Sequence, residues 1–360
     1  MAFDIGALSY VPTLAIRASE MNGLEKLPSL TKDKMVPIFL LAPWGRSKEL
    51  DNSISRIEKA FPHRPYFLDL DRDYQVSGEL SPAQEEFRSL FSNTERYRNW
   101  IDFVSKYEFI LPCIQLPEQS TEDLLYQIGS IQALGKLFCI RIELKRIPSN
   151  LNDVVMALNA VGSADYVIQI DGGWTNNFQI TEAEIHGLIT GPLGGIDANI
   201  PIIVSCTSIP VDYTVIEGRE VLPFGNREMV NSLKRSTNRN IIVYGDWGST
   251  RPRQYGIASP PKPRIDYPIA DAWVFARSKE NNWDFKKAAE EIVSSPEWET
   301  ESGLGIWGEQ MIMLTKDNPT FGINSAQKNV AARVNIHLHR QALFDDGDIR
   351  GIDLDEEWED

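Results

Sequence analysis

Short apolar runs rich in β-branched and aromatic residues recur along the chain, each followed by a stretch long enough for a helix. They read Thr13 to Arg17, Val36 to Ala42, Pro65 to Asp71, Phe109 to Leu116, Leu137 to Leu144, Tyr166 to Asp171, Pro201 to Cys206 and Ile241 to Asp246. The intervening segments carry helical period. Leu50, Ile54, Ile57 and Phe61 fall on one face after the second run, and Leu124, Leu125, Ile128, Ile131 and Leu134 do so after the fourth. Thr181 with Glu184 has capping-box spacing ahead of Ile185, Leu188 and Ile189, and Ser120 precedes Glu122 and Asp123 at another helix start. Strands joined by single helical crossovers run parallel, and eight such units can close on themselves. The pattern therefore predicts an α/β fold, a (β/α)8 TIM-type barrel, with Leu14, Ile38, Phe67, Ile110, Ile140, Ile168, Ile203 and Val243 buried. An open doubly wound sheet is the structural alternative.

After Asp246 the rhythm changes. Residues 248–268 are rich in Pro, Gly and Arg and read as a long ordered loop or lid. The remainder of the chain reads as mainly helical, anchored by Trp273, Phe275, Ile292, Trp298, Trp307, Ile312 and Leu314. The expected division is a barrel over 10–268, a C-terminal helical extension packed on it over 269–345, and an acidic tail over 346–360.

Composition narrows the function classes. At 42% hydrophobic and 24% charged, the chain can bury a core. No run approaches the roughly 20 apolar residues of a membrane span, and the N-terminus has no basic region of the secretory kind, so a cytoplasmic protein away from membranes is expected. Cys113, Cys139 and Cys206 sit in apolar runs and read as buried free thiols. A net charge of −15 speaks against broad phosphate-backbone binding, which depends on dense Lys/Arg neutralisation, and direct sequence-specific nucleic-acid binding is not expected. The acidic tail instead reads as a solvated segment, with docking on a basic partner or mimicry of nucleic acid as the alternatives.

In an α/β barrel, residues at strand C-termini and in the loops after them converge on one mouth. Charged residues collect at those positions here: Arg17, Asp69 and Asp71, Arg141 with Glu143 and Lys145, Asp171, and Asp246. Alternation puts Asp69 and Asp71 on one face, and Arg141, Glu143 and Lys145 on one face. Arg17, Asp69, Arg141, Asp171 and Asp246 are expected around a single cavity. Three arrangements are open. A salt-bridge layer could hold the mouth and do nothing else. Carboxylates could hold Mg²⁺ while arginines neutralise a phosphate. Or the arginines, helped by Arg251 and Arg253, could bind an anionic ligand without metal. The catalytic candidates are Asp69, Asp171 and Asp246; the ligand-binding candidates are Arg17, Glu20, Arg141, Glu143, Trp247, Arg251 and Arg253; no metal-ligand set is assigned. Gly191 to Gly195 reads as a turn, and the spacing of His337 and His339 reads as packing rather than zinc binding. Neither G-x-S-x-G, H-E-x-x-H nor C-x-x-C occurs, which disfavours Ser/His and Cys/His hydrolases.

The ordered set of segments resembles the phage-type beta protein family from about Tyr10 to Leu343. It comprises YVPTLAIRASEMNGLEKL with Tyr10, Pro12, Leu14, Arg17 and Glu20, then MVPIFLLAP, PYFLDLD, IIVSCTSIP with Ser208 and Pro210, Gly225 to Glu228, and VYGDWGSTRP with Gly245, Asp246 and Trp247. Gly308, Glu309 and Ile312, then His337 and His339, continue it toward the C-terminus. The sequence departs from the family pattern where a double His reads His-Leu-His, and where PPKPRIDYP replaces an arginine. The resemblance implies a phage, mobile-element or phage-defence context and carries no reaction with it. It leaves two readings: a recognition or assembly barrel of a phage-defence or phage-encoded system, with a protein partner from the same locus, or an enzyme acting on a phosphorylated or other anionic small molecule or nucleic-acid fragment at the mouth, with Mg²⁺ as its candidate cofactor.

Overall fold

The computed structural model of the protein describes residues 8–76, 78–161, 166–255 and 262–351. Eleven strands are formed among them: β1 (Tyr10–Ala15), β2 (Ile38–Leu41), β3 (Tyr66–Leu70), β4 (Ile110–Pro112), β5 (Phe138–Glu143), β6 (Tyr166–Trp174), β7 (Ile202–Thr207), β8 (Gly218–Pro223), β9 (Ile242–Asp246), β10 (Arg264–Pro268) and β11 (Ala272–Arg277). Eight make one parallel sheet in the order β4-β3-β2-β1-β9-β7-β6-β5, and a parallel bridge between Cys113 and Cys139 brings its two ends together. The eight apolar runs are thus the eight staves of a TIM-type barrel, and all eight residues expected in the core are buried. The first stave begins at Tyr10 rather than Thr13, because Tyr10 to Pro12 pair with Tyr244 to Asp246. A distant partner, not local composition, sets that boundary.

The helices are α1 (Ala18–Glu25), α2 (Ser29–Lys32), α3 (Asp51–Ala60), α4 (Pro82–Ser89), α5 (Arg98–Ser105), α6 (Thr121–Ala133), α7 (Leu151–Val161), α8 (Phe178–Thr190), α9 (Asn226–Ser236), α10 (Phe285–Val293), α11 (Pro296–Glu301), α12 (Trp307–Asp317) and α13 (Ala326–Ala342). Ser120 caps α6 by accepting from the Asp123 N–H at 3.2 Å. Thr181, in contrast, lies inside α8, which Asn177 caps; its hydroxyl donates to the Thr175 hydroxyl at 2.8 Å. The helix starts one turn ahead of the capping-box spacing.

Beside the barrel lies a three-stranded antiparallel sheet, β10-β11-β8, which corrects the expected loop through Pro268 and the helical reading of Trp273 and Phe275: both segments are strands, held by pairing with each other and with β8. Strand β8, Gly-Arg-Glu-Val-Leu-Pro, alternates between half-buried and exposed positions, so its strand character comes from pairing with β11 rather than from an apolar pattern. Helix α13 is buried along nearly all of its length because it serves two cores. Val334 and Leu338 join the core between barrel and helices, while Ala332 and Ile336 join a second core with β10, β11, α10 and α12. It packs closely against α1 and supplies the helix that follows the eighth stave.

Candidate functional site

Inside the barrel, chemistry changes with height. Val11, Ile38, Phe67, Cys113, Cys139, Val167 and Val243 fill an apolar layer, while Cys206 lies in the core between barrel and helices; all three cysteines are buried and free. Two residues further along, on the same inward face, Thr13, Asp69, Arg141 and Gln169 make the next level polar on four of these strands. Gln169 donates to the Thr13 hydroxyl at 2.8 Å. At the mouth Arg141 sits among three carboxylates: Nη1 reaches Asp69 at 3.0 Å, and Nη2 reaches Asp171 at 2.5 Å and Glu143 at 3.1 Å. The remaining oxygens are also engaged. Asp69 accepts from Gln115 Nε2 at 2.9 Å, and Asp171 accepts from Trp247 Nε1 at 2.9 Å and the Gly173 N–H at 2.8 Å.

These four ionic groups are almost inaccessible to water, so they persist only because each is paired. Burial opposes the Arg141 charge, but Glu143, Asp171 and Asp69 outweigh it and hold the guanidinium more firmly protonated than usual. Burial likewise opposes the Glu143 charge, and Arg141, Arg146 and Lys145 overcome it, leaving its carboxyl below the ordinary value. Arg146 and Lys145 also grip Asp73, and Arg72 donates to Gln115 at 2.5 Å. Sequence reasoning passed over Arg72, Asp73, Gln115 and Arg146, although they follow staves three to five at the loop positions where barrel ligands bind. Among the described residues no group of three or more His, Cys, Asp or Glu side chains is placed to hold a metal ion. Asp69 and Asp171 face a guanidinium instead, so the donor set does not fit Mg²⁺.

The segment after β9 crosses the mouth. Tyr255 accepts a hydrogen bond from the Gln75 N–H at 2.8 Å, Arg253 pairs with Asp71 at 2.5 Å, and Arg251 donates to the Pro210 carbonyl at 2.6 Å, so the described part of this loop is tied to both sides. Arg17, Arg251, Pro252, Arg253, Gln254 and Tyr255 line an open cavity of about 280 Å³. Arg17 pairs with the buried Glu20 at 3.2 Å and donates to the Arg251 carbonyl at 3.0 Å. Burial raises the Glu20 carboxyl above its ordinary value despite Arg17 and the Ala15 N–H. Arg251 has no carboxylate partner among the described residues; burial, with Arg333, Arg17 and Arg264 nearby, lowers its proton affinity. The other two cations of the segment lie elsewhere: Lys262 caps the Lys279 carbonyl and Arg264 pairs with Asp266 at 2.6 Å.

The single-cavity expectation is corrected: Arg17 lines the cavity under the crossing segment, Asp69 and Asp171 close on Arg141 apart from it, and Asp246 joins neither group. On β9 it shares parity with Tyr244, pointing out of the barrel, whereas Val243 and Trp247 point in. It accepts from Tyr10 at 2.7 Å, Tyr244 at 3.0 Å and the Gly248 N–H at 2.7 Å, and lies 2.7 Å from His337 Nε2. Burial opposes its charge, but His337, Tyr10 and Gly248 hold the carboxyl below its ordinary value. His339, two residues on, faces another way and meets the Thr31 hydroxyl at 2.8 Å. A helix cannot aim i and i+2 side chains at one ion.

Compared with known families, the sequence matches the family described as Beta protein over residues 10–343. The chain belongs to the Beta protein family. It is also similar to Protein beta of Enterobacteria phage P4, at 29% identity over 364 residues that cover 97% of each chain. In this Beta protein family member, Tyr10, Asp246 and His337 form one buried network on the outer wall of the barrel, while Arg17, Glu20 and Trp247 stand at the mouth.

Proposed function

We propose that this Beta protein family member is a recognition barrel that binds an anionic group at its mouth, as a component of a phage-encoded or phage-defence system. The observation that carries the reading is the division of charge there. Asp69, Glu143 and Asp171 are closed onto Arg141, whereas Arg251 faces a cavity shared with Arg17 and Arg253 and has no carboxylate partner among the described residues. Carboxylates engaged in this way hold the rim in shape; they are poor candidates for acid/base work, which supports recognition over catalysis. Guanidiniums with spare donors suit phosphate or carboxylate. The similarity to a phage protein supports the setting and a protein partner from the same locus, and three buried free thiols accord with a cytoplasmic, reducing compartment. No helix among the described residues is long and apolar enough to cross a membrane.

The test is calorimetric titration of the full chain with inorganic pyrophosphate at two salt concentrations, comparing wild type with Arg251→Ala. Removing Arg251 strands no carboxylate, so folding should be retained while affinity falls by about tenfold or more, as for a lost charge-assisted hydrogen bond. Absence of pyrophosphate binding in the wild type, or affinity unchanged in the variant, overturns the anion site. Turnover of the bound anion by the wild type would replace recognition with catalysis.

A further inference from the structure

We propose that the anion taken at this mouth is the phosphate of a nucleoside 5′-phosphate whose base stacks on Tyr255; this rests on the anion-site reading above. Tyr255 lines the same cavity as the three arginines, and it is 53% exposed. Its hydroxyl is nevertheless tied down, accepting from the Gln75 N–H at 2.8 Å. A phenol ring held at its far end with an open face is a stacking platform, and every nucleobase offers a π-face to such a platform. Gln254, exposed beside it in the cavity wall, carries an amide that can both donate to and accept from a base edge.

A second anchored aromatic flanks the site. Trp174 is 37% exposed, and its Nε1 donates to the Ile209 carbonyl at 2.9 Å, one residue before the carbonyl that holds Arg251. Its neighbour Gly173 approaches Pro252 of the cavity wall, where an added Cβ would lie 3.8 Å from Pro252 Cγ.

Size and charge select the class further. An open cavity of about 280 Å³, close to the lower end of the roughly 300 to 1,000 Å³ of small-molecule clefts, suits one small ligand rather than a tracked strand. The net charge of −15 opposes binding along a polyanionic backbone. A free nucleotide and the 5′-phosphorylated end of a short strand share the chemistry that remains.

The experiment titrates the full chain with pyrophosphate, ADP, a 5′-phosphorylated trinucleotide and its unphosphorylated counterpart, in wild type, Tyr255→Ala and Tyr255→Phe. The expected result is that ADP binds about tenfold more tightly than pyrophosphate, the increment of one stacked base. Tyr255→Ala should erase that advantage and leave pyrophosphate affinity unchanged; Tyr255→Phe should keep most of it. Preference for the phosphorylated trinucleotide over ADP would assign the site to strand ends, and the reverse to free nucleotides; both support the proposal. If pyrophosphate binds in an Arg251-dependent way but ADP gains nothing, or Tyr255→Ala leaves the ADP advantage intact, the nucleotide assignment falls and the anion site stands. If no anion binds, both fall.

Discussion

His339 shows how a single buried side chain becomes a pH-dependent element. Its ring lies on α13 against the Thr31 hydroxyl, fully enclosed, and burial, with Arg340 adding, pushes its pKa down to about 4. The ordinary value is about 6.5, so as pH falls the unfolded chain takes up a proton before the folded chain does. The stability that His339 contributes is complete above about pH 6.5 and is lost as pH falls toward 4, by on the order of 3 kcal/mol. Urea denaturation of wild type and His339→Gln between pH 7 and 4 should show the wild type losing more; parallel losses would refute the assignment. At the same scale, sequence placed Asp69, Arg141, Glu143 and Asp171 at the mouth from strand-end position and parity. It misplaced Asp246, because staves apolar on both faces give no sign of which face is inner. One residue of parity separates Trp247, on Asp171, from Asp246, on His337.

Helix α13 is gripped from two sides by glycines. A Cβ on Gly23 of α1 would lie 2.6 Å from the Ala331 carbonyl oxygen, and one on Gly308 of α12 would lie 2.6 Å from Ile336 Cγ1 and 2.7 Å from the Ala332 carbonyl oxygen. Asn335 bridges both partners, accepting from the Gly308 N–H at 2.9 Å and donating to the Gly23 carbonyl at 3.0 Å. In an open helix Gly→Ala stabilises by about 1 kcal/mol. Here the overlap with backbone reverses the sign, and Gly308→Ala should cost about 1 to 3 kcal/mol, read as a lower melting temperature. A rise in melting temperature would show that α12 and α13 stand further apart than this contact requires. Sequence offered Gly308 only as one member of a familiar set; the need for glycine became legible once α12 and α13 were packed together.

For the molecule as a whole, α13 makes the region after the barrel part of the barrel's closure. Its Val334 and Leu338 complete the core under β1, and its Asn335 and His337 satisfy groups on α1 and β9. A chain truncated before Ala326 should therefore lose cooperative thermal unfolding and near-ultraviolet circular dichroism rather than leave a folded barrel; a soluble, cooperatively melting truncation would disprove this. The sequence by itself determined the eight alternating units, because strand and helix periods of 2 and 3.6 residues are written locally, and it determined the ring of charge at the stave ends. Only the tertiary structure decided that β8 is a strand, that α13 is the eighth helix, that Asp246 faces outward, and that Arg251 shares a cavity with Arg17 and Tyr255. Each of these depends on contact between segments tens to hundreds of residues apart, and local periodicity carries no record of which distant partner a segment will meet.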